Sequence, residues 1–507
     1  MAGDRMACYA RLARRHVNVA LCLLFLPPVA AFAAPPDNDA VNGGGQHLIE
    51  TAPAERARKL TQRPDEKQPD KKIIVEVFGR PLTIGGGLKA TFEQRRDFEF
   101  DAGPDSLNRI GGALDLEFLY EYAGQRAVFI EAVTTGRHDY EPESGERDGD
   151  AQWRRGEMWL YSGSWFGNRV SYQIGRQNFN DGRKWWWGDD LDAVRVRYNS
   201  DDLHIEVALA QELARTGTEE AHLDPAEDEL LRLLASATRK IDSRNERSLF
   251  LLAQYDHSDT APAGTLVRSE LRDESDLDAL WLGWRARGRW KLPNDDRLYY
   301  WLDSGVMWGE ERVVDYGPAD ADHRIVDGVE RRRVRGAAID IGLHWQTSLP
   351  GRLTFTAGYA VGSGDGDPGD GVDGNYRQSG LQDNDGKFRG VTGFRYYGDL
   401  LRPELSNIAI STLAAGCRFL GKNSLDLVFH TYRQLQPMDD IRNARLDYDP
   451  DGIDTDIGSE INLVLGIEEL TNWQLELVAS RFRAGAAFGE RRGETAEKLG
   501  LEISYRF

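Results

Sequence analysis

The sequence predicts an all-β protein, a transmembrane antiparallel β-barrel of about 18 strands closed on itself. Three observations predict it. Apolar and polar residues alternate from about Thr83 onward, short connections alternate with long acidic ones, and the last strand stops on Phe507.

The chain has 507 residues, 29% of them charged, and 53 glycines. A helical membrane protein needs about 20 consecutive apolar residues per span. The long apolar run here is Val17 to Ala34, behind Arg11, Arg14 and Arg15 and ending in Ala31-Phe32-Ala33. That is the pattern of a secretory signal cleaved near Ala33 or Ala34, and Pro27 and Pro28 break it as a permanent anchor. Residues 1–34 are read as the signal, and 35–82, rich in Pro, Asp, Lys, Gln and Gly, as a flexible periplasmic leader. Ile73–Phe78 is left outside the barrel. Cys8 and Cys22 depart with the signal, so Cys417 has no intramolecular partner and a closed hydrogen-bond ladder must hold the chain instead. A net charge of -20 argues against a nucleic-acid partner, because neutralising phosphates takes a surplus of Lys and Arg.

The barrel is assigned to 83–507. Leu114, Leu116, Phe118, Tyr120 and Tyr122 share one parity, with Asp115, Glu117 and Glu121 between them. Leu353, Phe355, Ala357 and Tyr359 repeat the pattern, as do Leu499, Leu501, Ile503, Tyr505 and Phe507. A period of two puts a greasy and a wet face on each strand. A sandwich would show the same period, so the connections matter. Strands are expected at 83–101, 109–122, 125–136, 152–163, 168–178, 191–199, 203–213, 229–240, 246–257, 276–290, 297–310, 332–347, 352–363, 408–419, 424–434, 459–468, 473–483 and 496–507. The even-numbered connections are short, such as Pro350-Gly351 and Thr471-Asn472, whereas most odd ones are long and acidic, up to Ser363–Asn407. Short periplasmic turns opposite long external loops mark transmembrane barrels of the Gram-negative outer membrane. The leucine-rich 229–240 is read as a strand, since a loop helix there would leave an odd count. Trp159, Trp165, Trp281, Trp284, Trp290, Trp301, Trp308 and Trp345 are expected near the membrane boundary, where a ring is half buried and half hydrated.

A barrel this wide leaves a water-filled channel, so its lining carries the function. Arg285, Arg287 and Arg289 alternate with Trp284 and Ala286, and Arg195 and Arg197 alternate with Val194 and Val196. A charge on the lipid face costs about 2–4 kcal/mol at the midplane, so these arginines are expected to face inward. Inward basic residues select anions. The competing reading of each is an Arg–Glu ladder that only braces the wall.

The stretch "YAVGSGDGDPGDG...YRQSGLQDNDGKFRG...RYYGDLLRPELSN" from Tyr359 to Asn407 resembles the alginate export family of outer-membrane porins. "GEMWLYSG" at 156–163, "IGRQ" at 174–177, "LNRIG" at 107–111 and "RFRAG" at 481–485 resemble it in the same order, across 83–507. The resemblance implies an 18-stranded barrel whose arginine-lined constriction passes a polyuronate outward. It implies pore or substrate-binding roles for Lys89, Arg402, Arg481 and Arg483, with Arg395 near a further such position. Arg176 and Glu157 match motif positions, with Arg155 one residue from an expected arginine. Other positions depart from the family: Gly156 and Asn178 stand where arginines are expected, and Asp115 and Glu117 occupy the second strand. A tight turn at Thr471-Asn472 replaces a long periplasmic plug. These departures imply a less positive constriction, ungated from below. A β-bulge near Ala479 is needed to turn Arg481 and Arg483 inward.

No cofactor is implied. The Gly-Asp run from Gly362 to Gly374 lacks a Ca²⁺-loop pattern and is read as a solvated external loop, and no metal site is assigned. His430 is read as lumenal and structural. The expected partners are outer-membrane lipid, an anionic polysaccharide or small anion, and periplasmic export components. An uptake porin for small anionic solutes is the second reading. A lipid-modifying enzyme is remote, since Ser304, Ser411 and Ser480 have no histidine at a recognisable spacing.

Overall fold

The computed structural model describes residues 73–507 apart from 101–105, 124, 143, 167–168, 219–221, 259, 321 and 387–392. The signal assigned to 1–34 and the leader up to residue 72 lie outside the described residues. Among the described residues an 18-strand antiparallel barrel closes. Its first half is β2 (Arg80–Arg96), β3 (Ser106–Ala123), β4 (Arg126–Tyr140), β5 (Arg147–Trp165), β6 (Val170–Asn180), β7 (Gly188–Asn199), β8 (Leu203–Ala210), β9 (Leu230–Lys240) and β10 (Asn245–Asp256). The second half is β12 (Ser275–Lys291), β13 (Arg297–Pro318), β14 (His323–Gln346), β15 (Thr354–Gly362), β19 (Ile408–Phe419), β20 (Asn423–Gln434), β21 (Asp456–Ile467), β22 (Trp473–Ala484) and β23 (Thr495–Arg506). The short β11 (Leu266–Arg268), β16 (Val372–Asp373), β17 (Asp385–Gly386) and β18 (Phe394–Arg395) belong to loops.

Closure comes from β2 against β23, in register from Gly87↔Arg506 to Arg96↔Glu497. Gly86 and Phe507 exchange backbone hydrogen bonds of 3.1 and 3.0 Å at the foot of this seam. A β-carbon on Gly86 would stand 2.7 Å from the Phe507 ring, so the seam closes over a residue with no side chain. The leucine-rich 230–240 is a strand in register with β8 and β10, as the strand count required. Ile73–Val77 forms a further strand. As β1 it pairs with β2 from Ile73↔Ile84 to Val77↔Arg80, so the wall continues as a hairpin beyond the foot of the seam.

One transverse row, Leu343, Ala357, Leu413, Phe429 and Ile461, crosses five paired strands on the outside. Leu413 is 59% exposed there. The opposite parity of β21 buries Glu460, Asn462 and Val464. Apolar outside and polar inside is the distribution a lipid-embedded pore requires. Trp290 on Tyr300, Trp345 on Phe355 and Trp473 on Tyr505, with centroids 4.4, 5.7 and 4.9 Å apart, form an aromatic girdle at the short-turn end. Trp159, Trp281 and Trp301 do not join it. They are buried on the inner face, Trp281 and Trp301 in the cluster that includes the loops described next and Trp159 stacked on Phe129.

Candidate functional site

Residues 366–371 of the Gly-Asp run are exposed, as a solvated loop requires, whereas the described residues of 373–407 fold into the barrel, together with 181–187, and fill one side of the lumen. The wall is flattened for them by inward glycines. A β-carbon on Gly283 would lie 1.7 Å from the Trp186 ring, and one on Gly336 would lie 2.4 Å from the Tyr376 backbone. Trp186 also stacks on Phe250 at 5.3 Å. Buried polar bonds fix the position. Arg183 reaches Asp303 at 2.5 Å and Asp340 at 2.6 Å, with its guanidinium 4.1 Å from the centre of the Tyr396 ring. Trp185 Nε1 donates to the Tyr397 hydroxyl at 2.8 Å, and that hydroxyl donates to Asp340 at 2.7 Å. Glu460 accepts the backbone N–H groups of Asp399, Leu400 and Leu401 at 2.7, 3.0 and 2.9 Å, and the Tyr432 hydroxyl at 3.0 Å. Such a multiply hydrogen-bonded buried carboxylate is stable without a cation.

This scaffold holds a basic cluster against the opposite wall. Asp383 takes Lys184 at 3.0 Å, Arg402 at 2.6 Å and Arg395 at 3.6 Å. Asp399 takes Lys498 at 2.7 Å and Arg395 at 3.4 Å. Glu93 takes Arg95 at 2.6 Å and Lys498 at 3.4 Å. Arg445, whose backbone N–H bonds to Leu401, completes the group. Among the described residues, Lys184, Arg395, Arg402, Arg445, Lys498 and Arg95 thus gather around Asp383, Asp399 and Glu93. The field shows in the titrations. Burial raises the Asp383 carboxyl, but Lys184, Arg395 and Arg402 outweigh it and hold it below the usual range. Asp399 is likewise lowered, its burial overcome by Lys498 and Arg395. Burial, with Arg402 and Arg395 beside it, lowers Arg445 to about 10.

Lys89, Arg395 and Arg402 therefore lie in the lumen. Lys89 pairs with Glu502 at 3.1 Å on the inner face. Arg195 and Arg197 also face inward but are locked in the wall. Arg197 bonds Glu206 at 2.9 Å and Gln173 at 2.7 Å, and Arg195 lies 3.5 Å from the centre of the Phe179 ring. Arg285 holds Asp303 and Asp181, and Arg287 pairs with Glu246. For these four the bracing reading fits the geometry. Glu157 is buried at a bulge in β5, where the pairing with β4 shifts, and accepts from Asn178 N at 3.0 Å and Trp159 Nε1 at 3.2 Å. Asp115 and Glu117 face inward and pair with Arg506 at 3.6 and 3.1 Å.

Four expectations are corrected. Arg155 and Arg176 share the outward parity. They join Asp192 and Glu212, at 2.7 Å each, near the loop end of the wall. Arg481 and Arg483 also point outward, because Phe482 between them is fully buried inside. No bulge turns them: β22 runs in unbroken register with β21 and β23 through Ala479. Arg483→Gln should accordingly leave the reversal potential in a salt gradient unchanged. A shift toward cation selectivity would put this side chain back in the pore.

Lys184, Arg445, Lys498 and the anchor Arg183 escaped the sequence reading. A signal existed in "DGRKWWWG" at 181–188, where three consecutive tryptophans beside two cations have no place in a solvated loop.

Comparison with known proteins agrees with this geometry. The family model described as "Alginate export" matches residues 80–502. The chain is 22% identical over 466 residues to the alginate production protein AlgE of Pseudomonas aeruginosa, covering 84% of this chain and 92% of that one. It is 22% identical over 335 residues to the AlgE of Pseudomonas syringae pv. tomato, covering 64% of each. Among solved structures, Pseudomonas aeruginosa OccK7 (OpdD) superposes with a TM-score of 0.50 at 13% identity, over 84% of this chain and 99% of that one, a likeness of fold alone. With a matched model spanning almost the whole barrel, the chain belongs to the alginate export family, whose members are β-barrels of the Gram-negative outer membrane.

Proposed function

We propose that the barrel passes an anionic polysaccharide across the outer membrane, in the outward direction, with an alginate-like polymer as its cargo and no chemical step of its own. The cluster of lumenal cations around Asp383, Asp399 and Glu93 carries this reading. A uronate in transit exchanges part of its hydration for Arg395, Arg402, Lys184 and Lys89. The three carboxylates keep each contact weak enough to release, as conduction requires. The family and the AlgE relatives support the polymer and the direction. Within this reading the signal is removed on export, and the leader, facing the periplasm, is the segment export partners would meet.

Planar bilayers test it. Anion-selective reversal is expected, with block by oligouronates at micromolar concentration and none by a neutral glucan of equal length. Block by small organic acids alone would favour the uptake porin instead. Cation selectivity would defeat both.

A further inference from the structure

The outward arginines form a pattern of their own. Counted across the paired strands, one row on the outer face is Leu427, Leu463, Ala479, Leu499 and Gln94. The row above it is Phe429, Ile461, Arg481, Glu497 and Arg96, and the next carries Thr431, Ser459, Arg483 and Thr495. Ala479 leaves a dip among larger neighbours, and a groove of about 440 Å³ opens there, walled by Leu427, Leu463 and Leu499 below and Arg96 and Arg481 above. Arg481 is 59% exposed, and its partners are the half-exposed Glu497 at 3.5 Å and Thr495 at 3.5 Å.

Height matters as much as charge. Trp473 of the aromatic girdle and Arg481 lie on the same strand, eight residues apart. At about 3.4 Å per residue and a tilt of about 40°, Arg481 stands roughly 21 Å and Arg483 roughly 26 Å above the girdle. The apolar band of such barrels is about 25 Å tall. These arginines therefore reach the outer headgroup layer, above a slot shaped for an acyl chain.

We infer that this face is a binding site for a phosphorylated, acylated lipid of the outer leaflet, with Arg96, Arg481 and Arg483 on its phosphate and the leucine-walled groove on a chain. Guanidinium forks match phosphate oxygens in geometry and charge. The site is separate from the lumen and stands or falls apart from the transport reading.

The test uses the full-length protein in detergent with lipid A, followed by native mass spectrometry and thermal melting. Wild type should retain lipid A, and Arg96→Gln/Arg481→Gln/Arg483→Gln should bind it at least tenfold more weakly. Arg481→Lys/Arg483→Lys, which keeps the charge but loses the fork, should bind between wild type and the triple Gln variant. Dephosphorylated lipid A should bind wild type as poorly as phosphorylated lipid A binds the triple variant, and millimolar inorganic phosphate should not displace the lipid. Equal retention by wild type and the Gln variant overturns the site. So does undiminished binding of the dephosphorylated lipid, and displacement by free phosphate would reduce it to a loose anion patch. Should the triple variant fail to fold, the dephosphorylation arm on wild type decides alone.

Discussion

Changing Lys184, Arg395 and Arg402 together to Gln is expected to abolish anion selectivity and weaken oligouronate block about a hundredfold. At an effective dielectric constant near 20, a carboxylate about 7 Å from a cation gains about 2 kcal/mol. Salt at 0.1–0.15 M, with a screening length of about 8–10 Å, reduces this to about 1 kcal/mol. Three such losses total about 3 kcal/mol, or roughly two orders of magnitude in affinity. The variant also strips Asp383 of Lys184, Arg395 and Arg402, so the positive field at this spot is lost. Asp383→Asn is the companion. It removes a negative charge from the same spot and should tighten block and raise anion selectivity. If the triple variant blocks within twofold of wild type, the polymer does not pass this cluster.

The second large effect belongs to Arg183. Its guanidinium is the shared partner of Asp303 and Asp340 in the interior, and burial alone would lower its pKa were it not outweighed by Asp340, the neighbouring tyrosines and Asp303. Removing one member of a buried pair costs about 3–5 kcal/mol, because the remaining charge is left uncompensated. Arg183→Ala leaves Asp340 without its cation, while Asp303 keeps Arg285. The inward segments should undock while the ring stays closed, since none of its ladder bonds involves Arg183. Single-channel conductance is expected to rise with added open-channel noise, and protease should gain access to residues 376–407, which are shielded in the wild type. The heat-modifiable mobility of the closed barrel should be retained. Wild-type conductance with wild-type proteolysis would mean that the aromatic contacts of Trp186 and Tyr376 suffice without the ion pairs.

The wall was legible in the sequence for a simple physical reason. Lipid on one side and water on the other write a period of two into every strand, and that pattern needs only neighbours to be read. It did not by itself locate 230–240, where four leucines in five residues suggest a helix and the strand count decided. The interior was legible only in part. Arg395 and Arg402 were found through resemblance, but their placement depends on Asp383, Glu460 and Arg183, which lie elsewhere in the chain. No local pattern shows that Gly283, Gly305 and Gly336 make a flat bed for Trp186 and Tyr376, because glycine in a strand announces only a missing side chain. The outward arginines were misplaced for another reason. Arg481 and Arg483 share the parity of Leu475 and Leu477, and only the pore role implied by the resemblance asked for a bulge to turn them inward. Near the interfaces the lipid-face penalty for a charge falls to about 0–1 kcal/mol, so Arg481 and Arg483 need no bulge.

The inward stretch 373–407 is anchored at once to strands that come before it in the chain, at Asp340, and after it, at Glu460. Neither anchor holds the filling alone, so it can seat only once wall on both sides of it in the sequence has been laid down.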